Sequence, residues 1–192
     1  MFSESITLGT PGGVQVRIPA DQVLDMLIKH IQGPGSASLA VPRIGDYWHG
    51  QGGHYAGIAR ADDGRQYHLI KGVGEFEGLE YGGYEKAESG IGNLWDGAAN
   101  TNTLVASGID HPAAQAAAQY EADGHSDFYL MSQREACLCA ANIPHLFKKT
   151  RYWTSTQLSS DYAWAVDFEY GDVSSWNKDD EFRVCPVRRL FI

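Results

Sequence analysis

The segment Tyr152–Ile192, YWTSTQLSSDYAWAVDFEYGDVSSWNKDDEFRVCPVRRLFI, constrains the fold more than any other part of the chain. Two short apolar-polar stretches flank a polar run rich in Asp, Ser and Trp, and a basic-apolar strand closes the sequence. Alternation of this kind reads as strands, and a polar run between strands reads as a displayed hairpin. The pattern fits a rigid framework that holds out polar side chains, a binding surface more than a catalytic pocket.

The rest of the composition sets the frame for that hairpin. Of 192 residues, 43% are hydrophobic and 20% charged, enough apolar surface for one globular domain with an extension. The 22 glycines, 5 tryptophans and 10 tyrosines favour a fold in which long loops pack on large rings. A net charge of −9 disfavours a nucleic-acid backbone as partner. No apolar run is long enough for a bilayer span, so no membrane insertion is expected. The opening MFSESITLGTPGG lacks the basic-then-apolar order of a signal peptide, so synthesis in a cytoplasm is expected. Action outside a cell then requires another route, such as assembly into a particle released by lysis.

Along the chain, Val14–Ile18 alternates as a strand, and Val23, Leu24, Leu27, Ile28 and Ile31 fall on one face of a helix over 21–31. Gly33-Pro34-Gly35 breaks that helix, which sets residues 1–35 apart as a strand-helix assembly segment. From Pro42 a main domain runs to residue 192. Tyr55–Arg60 and Gln66–Ile70 read as strands about an Asp62-Asp63-Gly64 turn. Residues 72–103 read as long ordered loops. Two helices follow, one from Pro112 through Glu121 and one from Gln133 to Asn142, the second opened by a Ser132/Glu135 capping box and ended by Pro144. Strands over 152–156, 163–170 and 181–188 close the domain.

The chemistry-bearing residues point away from catalysis. Cys137, Cys139 and Cys185 lack disulfide or zinc spacing and read as buried free thiols. The seven histidines show no His-x-x-x-His pair, and no nucleophile elbow or phosphate loop is present. Asp123, His125 and Asp127 read as turn-fixing hydrogen-bond partners. Trp153 and Phe168 read as core. Trp176, in the polar run 171–180, has no obvious core to fill and reads as a surface contact. Arg183, Arg188 and Arg189 read as structural cations that pair with acids such as Asp96 or Glu135. No cofactor and no metal is expected.

Three sets of residues together resemble a known family: DGHSDFYLMSQREACLCAANIP (123–144), YWTSTQ (152–157), and Ala163-Trp164, Phe168 and Gly171 with Arg183-Val184 and Val187-Arg188-Arg189. The match, over 42–192, is to the collagen-like-adhesin (Lcl) C-terminal domain family. Met131 stands where the pattern usually has Pro, and residues 1–41 fall outside the likeness. The resemblance implies an α+β, C-type-lectin-like fold, akin to that of the formylglycine-generating enzymes: two helices packed on antiparallel strands with long ordered loops. It also implies kinship with phage and prophage tail products and with the variable proteins of diversity-generating retroelements. Ligand contacts in the latter fall in the C-terminal region, and carried over they are Ser160, Tyr162, Asp172, Ser174, Trp176 and Asn177. The expectation is a non-enzymatic, homo-oligomeric virion component. It would join other phage tail proteins and grip a host cell-surface glycan or protein. An oxidative enzyme of formylglycine-generating type and a purely structural tail or baseplate component are the alternatives.

Overall fold

Alternating apolar residues at the start of the chain form a two-stranded antiparallel ribbon, β1 (Ser5–Gly9) with β2 (Gln15–Pro19). The computed structural model describes residues 5–9, 15–19 and 41–192. The expected strand over 14–18 is thus present one residue along, with an unanticipated partner before it, while the helix over 21–31 lies outside the described residues. The chain divides into two compact units, Met1–Ser38 and Leu39–Ile192.

The second unit is α+β, as expected, with two five-stranded sheets. The first takes the order β3 (Tyr47–Trp48), β4 (Gly53–Arg60), β5 (Gln66–Gly72), β12 (Pro186–Phe191), β7 (Tyr129–Leu130), antiparallel throughout. The second runs β10 (Val173–Asn177), β9 (Tyr162–Asp167), β8 (Arg151–Gln157), β11 (Glu181–Val184), β6 (Phe76–Glu80), with only the β8–β11 neighbours parallel. The β4–β5 hairpin turns where Asp62-Asp63-Gly64 predicts, with Gly64 at φ +86°, a conformation that carries no steric penalty only for Gly. No helix among the described residues is long and apolar enough to cross a membrane.

Three α-helices, not two, are present among the described residues: α1 (Gly97–Ala106), α2 (Pro112–Ala118) and α3 (Gln133–Asn142). The capping box of α3 forms both its bonds. The Ser132 N–H donates to Glu135 Oε2 at 2.7 Å, and the Glu135 N–H donates to Ser132 Oγ at 3.3 Å. Helix α2 ends short of Glu121 because Tyr120 leaves it to pack edge-on against Phe128, its hydroxyl accepting from the Gly74 N–H.

The stretch 72–103, expected as loop, contains β6 and most of α1. The sequence of α1, GAANTNTLVA, is poor in helix formers. Tertiary bonds hold it instead: Thr101 Oγ1 accepts from the Leu130 N–H at 3.1 Å, and Asn100 Nδ2 donates to Ser155 Oγ at 3.2 Å, while Asp96 caps the Ala99 N–H at 2.9 Å. The polar run 171–180, also expected as loop, contains β10. The expected strand 181–188 splits at Cys185-Pro186, and the chain passes there from the second sheet to the first. Pro186 has no N–H to continue a ladder.

One irregularity joins these parts. Between β8 and β9 the register shifts between Trp153 and Gln157, so Thr154, Ser155 and Thr156 bulge away from the ladder. All three are fully buried. The Ser155 N–H donates to Met131 O at 2.8 Å, and Ser155 Oγ accepts from Asn100 Nδ2 at 3.2 Å. Thr156 Oγ1 donates to Asn93 O at 3.0 Å and accepts from the Gln133 N–H at 3.1 Å. Ser155 and Thr156 thereby bind the segment after β7, the chain entering α1 with α1 itself, and the first turn of α3 to one strand, while Thr154 Oγ1 donates to Trp164 O across the bulge at 2.7 Å.

Around this bulge two apolar clusters pack on opposite faces of the second sheet, one around Tyr152, Val166 and Phe168, the other around Trp153, Ala163 and Ala165. Trp153 and Phe168 are core, as expected. The closing arginines each take an acid: Arg189 takes Asp96 at 2.9 Å, Arg188 takes Asp127 at 2.8 Å, and Arg183 takes Glu75 at 3.2 Å and also Glu77. Glu135 is not an arginine partner; its Oε1 accepts from the hydroxyls of Tyr67 (2.7 Å) and Tyr129 (2.6 Å). Replacing Thr156 by Val keeps the shape but leaves the Gln133 N–H buried without its partner and takes one of two donors from the Asn93 carbonyl, which keeps Asn100 Nδ2 at 2.7 Å. Urea denaturation is expected to show a loss of about 1–3 kcal/mol.

Candidate functional site

Strand β10 is the free edge of the second sheet, so the β9–β10 hairpin meets solvent along its length. The six residues expected to contact a ligand all lie here, and none is buried. They share an edge and not a face. Register pairs Trp176 with Ala163 and Ser174 with Ala165, but Asn177 with Tyr162. Cross-strand partners point the same way, so Ser174 and Trp176 lie over the Trp153 side and Tyr162 and Asn177 on the opposite one. Ser160 sits in the turn before β9. Asp172 sits before β10, where it accepts from Ser174 Oγ at 3.3 Å.

Trp176 departs from its expected role. It is a half-buried strand residue that meets Phe182 edge-on at 5.5 Å, and Phe182 in turn leans on the buried Trp153 at 4.6 Å. The Arg151 guanidinium stands 4.1 Å over the Trp176 ring and reaches Asp167 at 3.7 Å. The indole is thus partly spent on the core, with a cation stacked on it.

The Tyr162 end is more open. Tyr162 and Tyr84 are each 43% exposed. Burial, then the charges of Asp161, Asp179 and Glu85, push the Tyr84 hydroxyl above its ordinary value, with a contribution from Tyr162. What brings these groups together is Lys178, whose side chain is fully buried. Its ammonium donates to Gln157 Oε1 at 2.5 Å, Lys86 O at 2.9 Å and Gly83 O at 3.2 Å. Burial lowers its pKa, and Glu88 and Asp161 oppose that fall. Its backbone accepts from the Gly82 N–H and donates to Asp161 O. A buried lysine with three acceptors fixes the 82–86 loop against the hairpin end. Sequence reading missed both Tyr84 and Lys178, because the contact joins residues 92 and 95 positions apart.

A cleft of about 410 Å³ elsewhere on the domain gathers titratable groups, among them His54, Lys71, Glu75, His145 and Arg183. Lys71 is buried; its ammonium donates to Gly72 O at 3.0 Å and lies 3.1 Å from Glu75 Oε1. Glu75 Oε2 accepts from Tyr152 Oη at 2.8 Å and from Arg183 at 3.2 Å. Burial pushes the Cys185 thiol up to about 12. Burial works against the Lys71 charge, but Cys185 and Glu75 outweigh it and leave its pKa raised. A thiol at such a value is neutral near pH 7, so Glu75 is the acid that holds the lysine charged there. The acid and the two cations answer one another inside the protein.

The other thiols are no more reactive. Burial raises Cys139 well above its ordinary value and raises Cys137 too, against the pull of Arg134. Cys139 is buried, as expected, whereas Cys137 stays partly exposed on α3. Asp123 fixes a turn, as expected: its Oδ2 accepts from Tyr47 Oη (2.9 Å) and the N–H groups of Gly50 (3.0 Å) and Gly52 (3.1 Å). Among the described residues no group of three or more His, Cys, Asp or Glu is placed to hold a metal ion.

The two hairpin aromatics are expected to respond differently to truncation. Trp176→Ala removes half-buried area and is expected to cost about 1–2 kcal/mol in chemical denaturation. Tyr162→Ala is expected to stay within about 0.5 kcal/mol of the parent. No protein-family model matches the chain, and no curated protein is a significant match to it.

Proposed function

We propose that this chain is a non-enzymatic binding protein of a phage or prophage particle. Its second unit has a C-type-lectin-like fold and grips a host surface glycan or protein along the β9–β10 edge. The observation that carries this reading is the clamp at the Tyr162 end. Exposed Tyr84 and Tyr162, with Asp161, Asp179, Asn177 and Ser160 about them, stand on backbone that the buried Lys178 holds in place. Rings with one apolar face and one polar tip make contact area at small entropic cost, and a fixed backbone lowers the cost of binding further. The Trp176 side of the edge adds a stacked Arg151, which suits a partner with acceptor groups.

The thiols favour this reading over the oxidative alternative. An oxidative or metal-binding cysteine works as a thiolate, and burial raises all three cysteines above their ordinary value. Residues 1–35 serve in this reading as the assembly segment of a homo-oligomer that joins other tail proteins in the virion.

Binding of the fluorescently labelled protein to host cells measures the proposal. The pair Tyr162→Ala with Asn177→Ala is expected to weaken it about tenfold or more, and Arg65→Ala on the β4–β5 turn is expected to leave it unchanged. Binding absent from the parent protein would leave the structural-spacer role standing in its place. Deleting residues 1–35 is expected to reduce the oligomer to a monomer in light scattering, while the melting transition of the remainder stays where it was.

A further inference from the structure

A second pocket, of about 270 Å³, lies where β4 and β5 meet the start of α3. We infer that it is a binding site for a ring-shaped carboxylate, held between the indole of Trp95 and the guanidinium groups of Arg60 and Arg134. Its wall is apolar, formed by Ile58, Leu138 and the ring of Tyr67. Trp95 is 41% exposed and Ile58 50% exposed, so two large apolar side chains face solvent beside one cavity. The Arg60 and Arg134 guanidinium carbons stand 5.8 and 5.5 Å from the Trp95 ring centroid. The volume is small for a ligand site and suits one ring, not a chain.

Charge decides the ligand class. In a chain of net charge −9, the closing arginines Arg183, Arg188 and Arg189 each take an acid. Arg60 and Arg134 have no carboxylate within ion-pair reach among the described residues. Two uncompensated guanidinium groups beside a ring platform recognise an oxyanion by paired N–H bonds. The one acid on the lining, Glu135, is already occupied. Oε1 takes the two tyrosine hydroxyls and Oε2 the Ser132 N–H. Glu135 is buried, its pKa raised by that burial, and its oxygens offer the ligand no donor, so the ligand carboxylate sits outward at the arginines and the ring inward on Trp95 and Ile58.

The platform is fixed before any ligand arrives. Asn93 Oδ1 accepts from the N–H groups of Trp95 (2.8 Å) and Asp96 (3.0 Å), and the Arg134 N–H donates to Leu94 O at 3.1 Å. Trp95 and Arg134 are therefore one hydrogen bond apart along the backbone, and Arg60 ends β4. Nothing in this inference uses the hairpin edge, none of whose residues lines the pocket.

Ring carboxylates come from two sources, acidic sugars and aromatic acids. The full chain is titrated with sodium glucuronate, sodium benzoate and uncharged glucose, followed by tryptophan fluorescence and calorimetry. Glucuronate is expected to saturate at millimolar concentration and weaken with added salt, while glucose does not bind. Arg60→Ala with Arg134→Ala is expected to weaken binding about tenfold or more, and Trp95→Ala to abolish the fluorescence change. All three side chains are exposed, so the variants are expected to melt with the parent. Benzoate bound and glucuronate not would assign the site to aromatic acids. Failure of both carboxylates to bind, equal binding of glucose, or binding untouched by the variants would overturn the inference. Each of those results leaves the host-cell binding of the hairpin variants to be judged by itself.

Discussion

A bulge of three buried polar residues, Thr154-Ser155-Thr156, is the constraint on which the second unit depends. A hydroxyl or peptide group shut away from water must find a partner, or it costs more than its bond returns. Here the partners come from Asn93, Asn100, Met131 and Gln133, in two separate stretches of chain. Satisfying the bulge therefore sets the entry to α1, the segment leaving β7 and the first turn of α3 in one arrangement. Apolar packing on both faces of the sheet adds stability, but it is the hydrogen bonds that fix register.

A frame fixed in that way leaves its exposed side chains at the margins. Strand β10 lies at the sheet edge, with β9 and β8 between it and β11, and the side chains of the β9–β10 hairpin are divided between a half-packed side with Trp176 and an open side with Tyr162. Lys178 repeats the logic of the bulge at smaller scale: one buried polar group satisfies itself only by drawing in Gly83, Lys86 and Gln157, and so positions Tyr84. The charge cluster around Lys71 and Glu75 belongs to the frame as well, since its charges are spent on one another.

Local signals were legible from the sequence, and distant ones were not. The Ser132/Glu135 capping box, the Asp62-Gly64 turn and Pro112 each act within a few residues, and each element formed where they predict. Helix α1 escaped because its Gly, Asn and Thr residues oppose helix, and bonds to Asn93, Leu130 and Ser155 hold it. Strand β10 escaped because Asp, Ser and Asn mask an edge strand whose pairing comes from β9. The pairing of Arg189 with Asp96 was legible as charge seeking charge; that Glu135 goes to two tyrosines was not. The six expected contact residues fall in one hairpin, but their division between two sides follows from register alone. Tyr84 and the Trp95 pocket depend on chain brought from far away, which no local pattern announces.

Hydrogen–deuterium exchange on the protein, alone and with host-cell envelope material, tests the central claim most directly. The account predicts that the amides of Ser155, Gln157 and Gln133 exchange only through global unfolding, with or without envelope. It predicts that protection gained on mixing falls on residues 160–162 and 172–177. Fast exchange at the bulge in the free protein, or protection gained elsewhere with the hairpin unchanged, would contradict a fixed frame that binds through its edge.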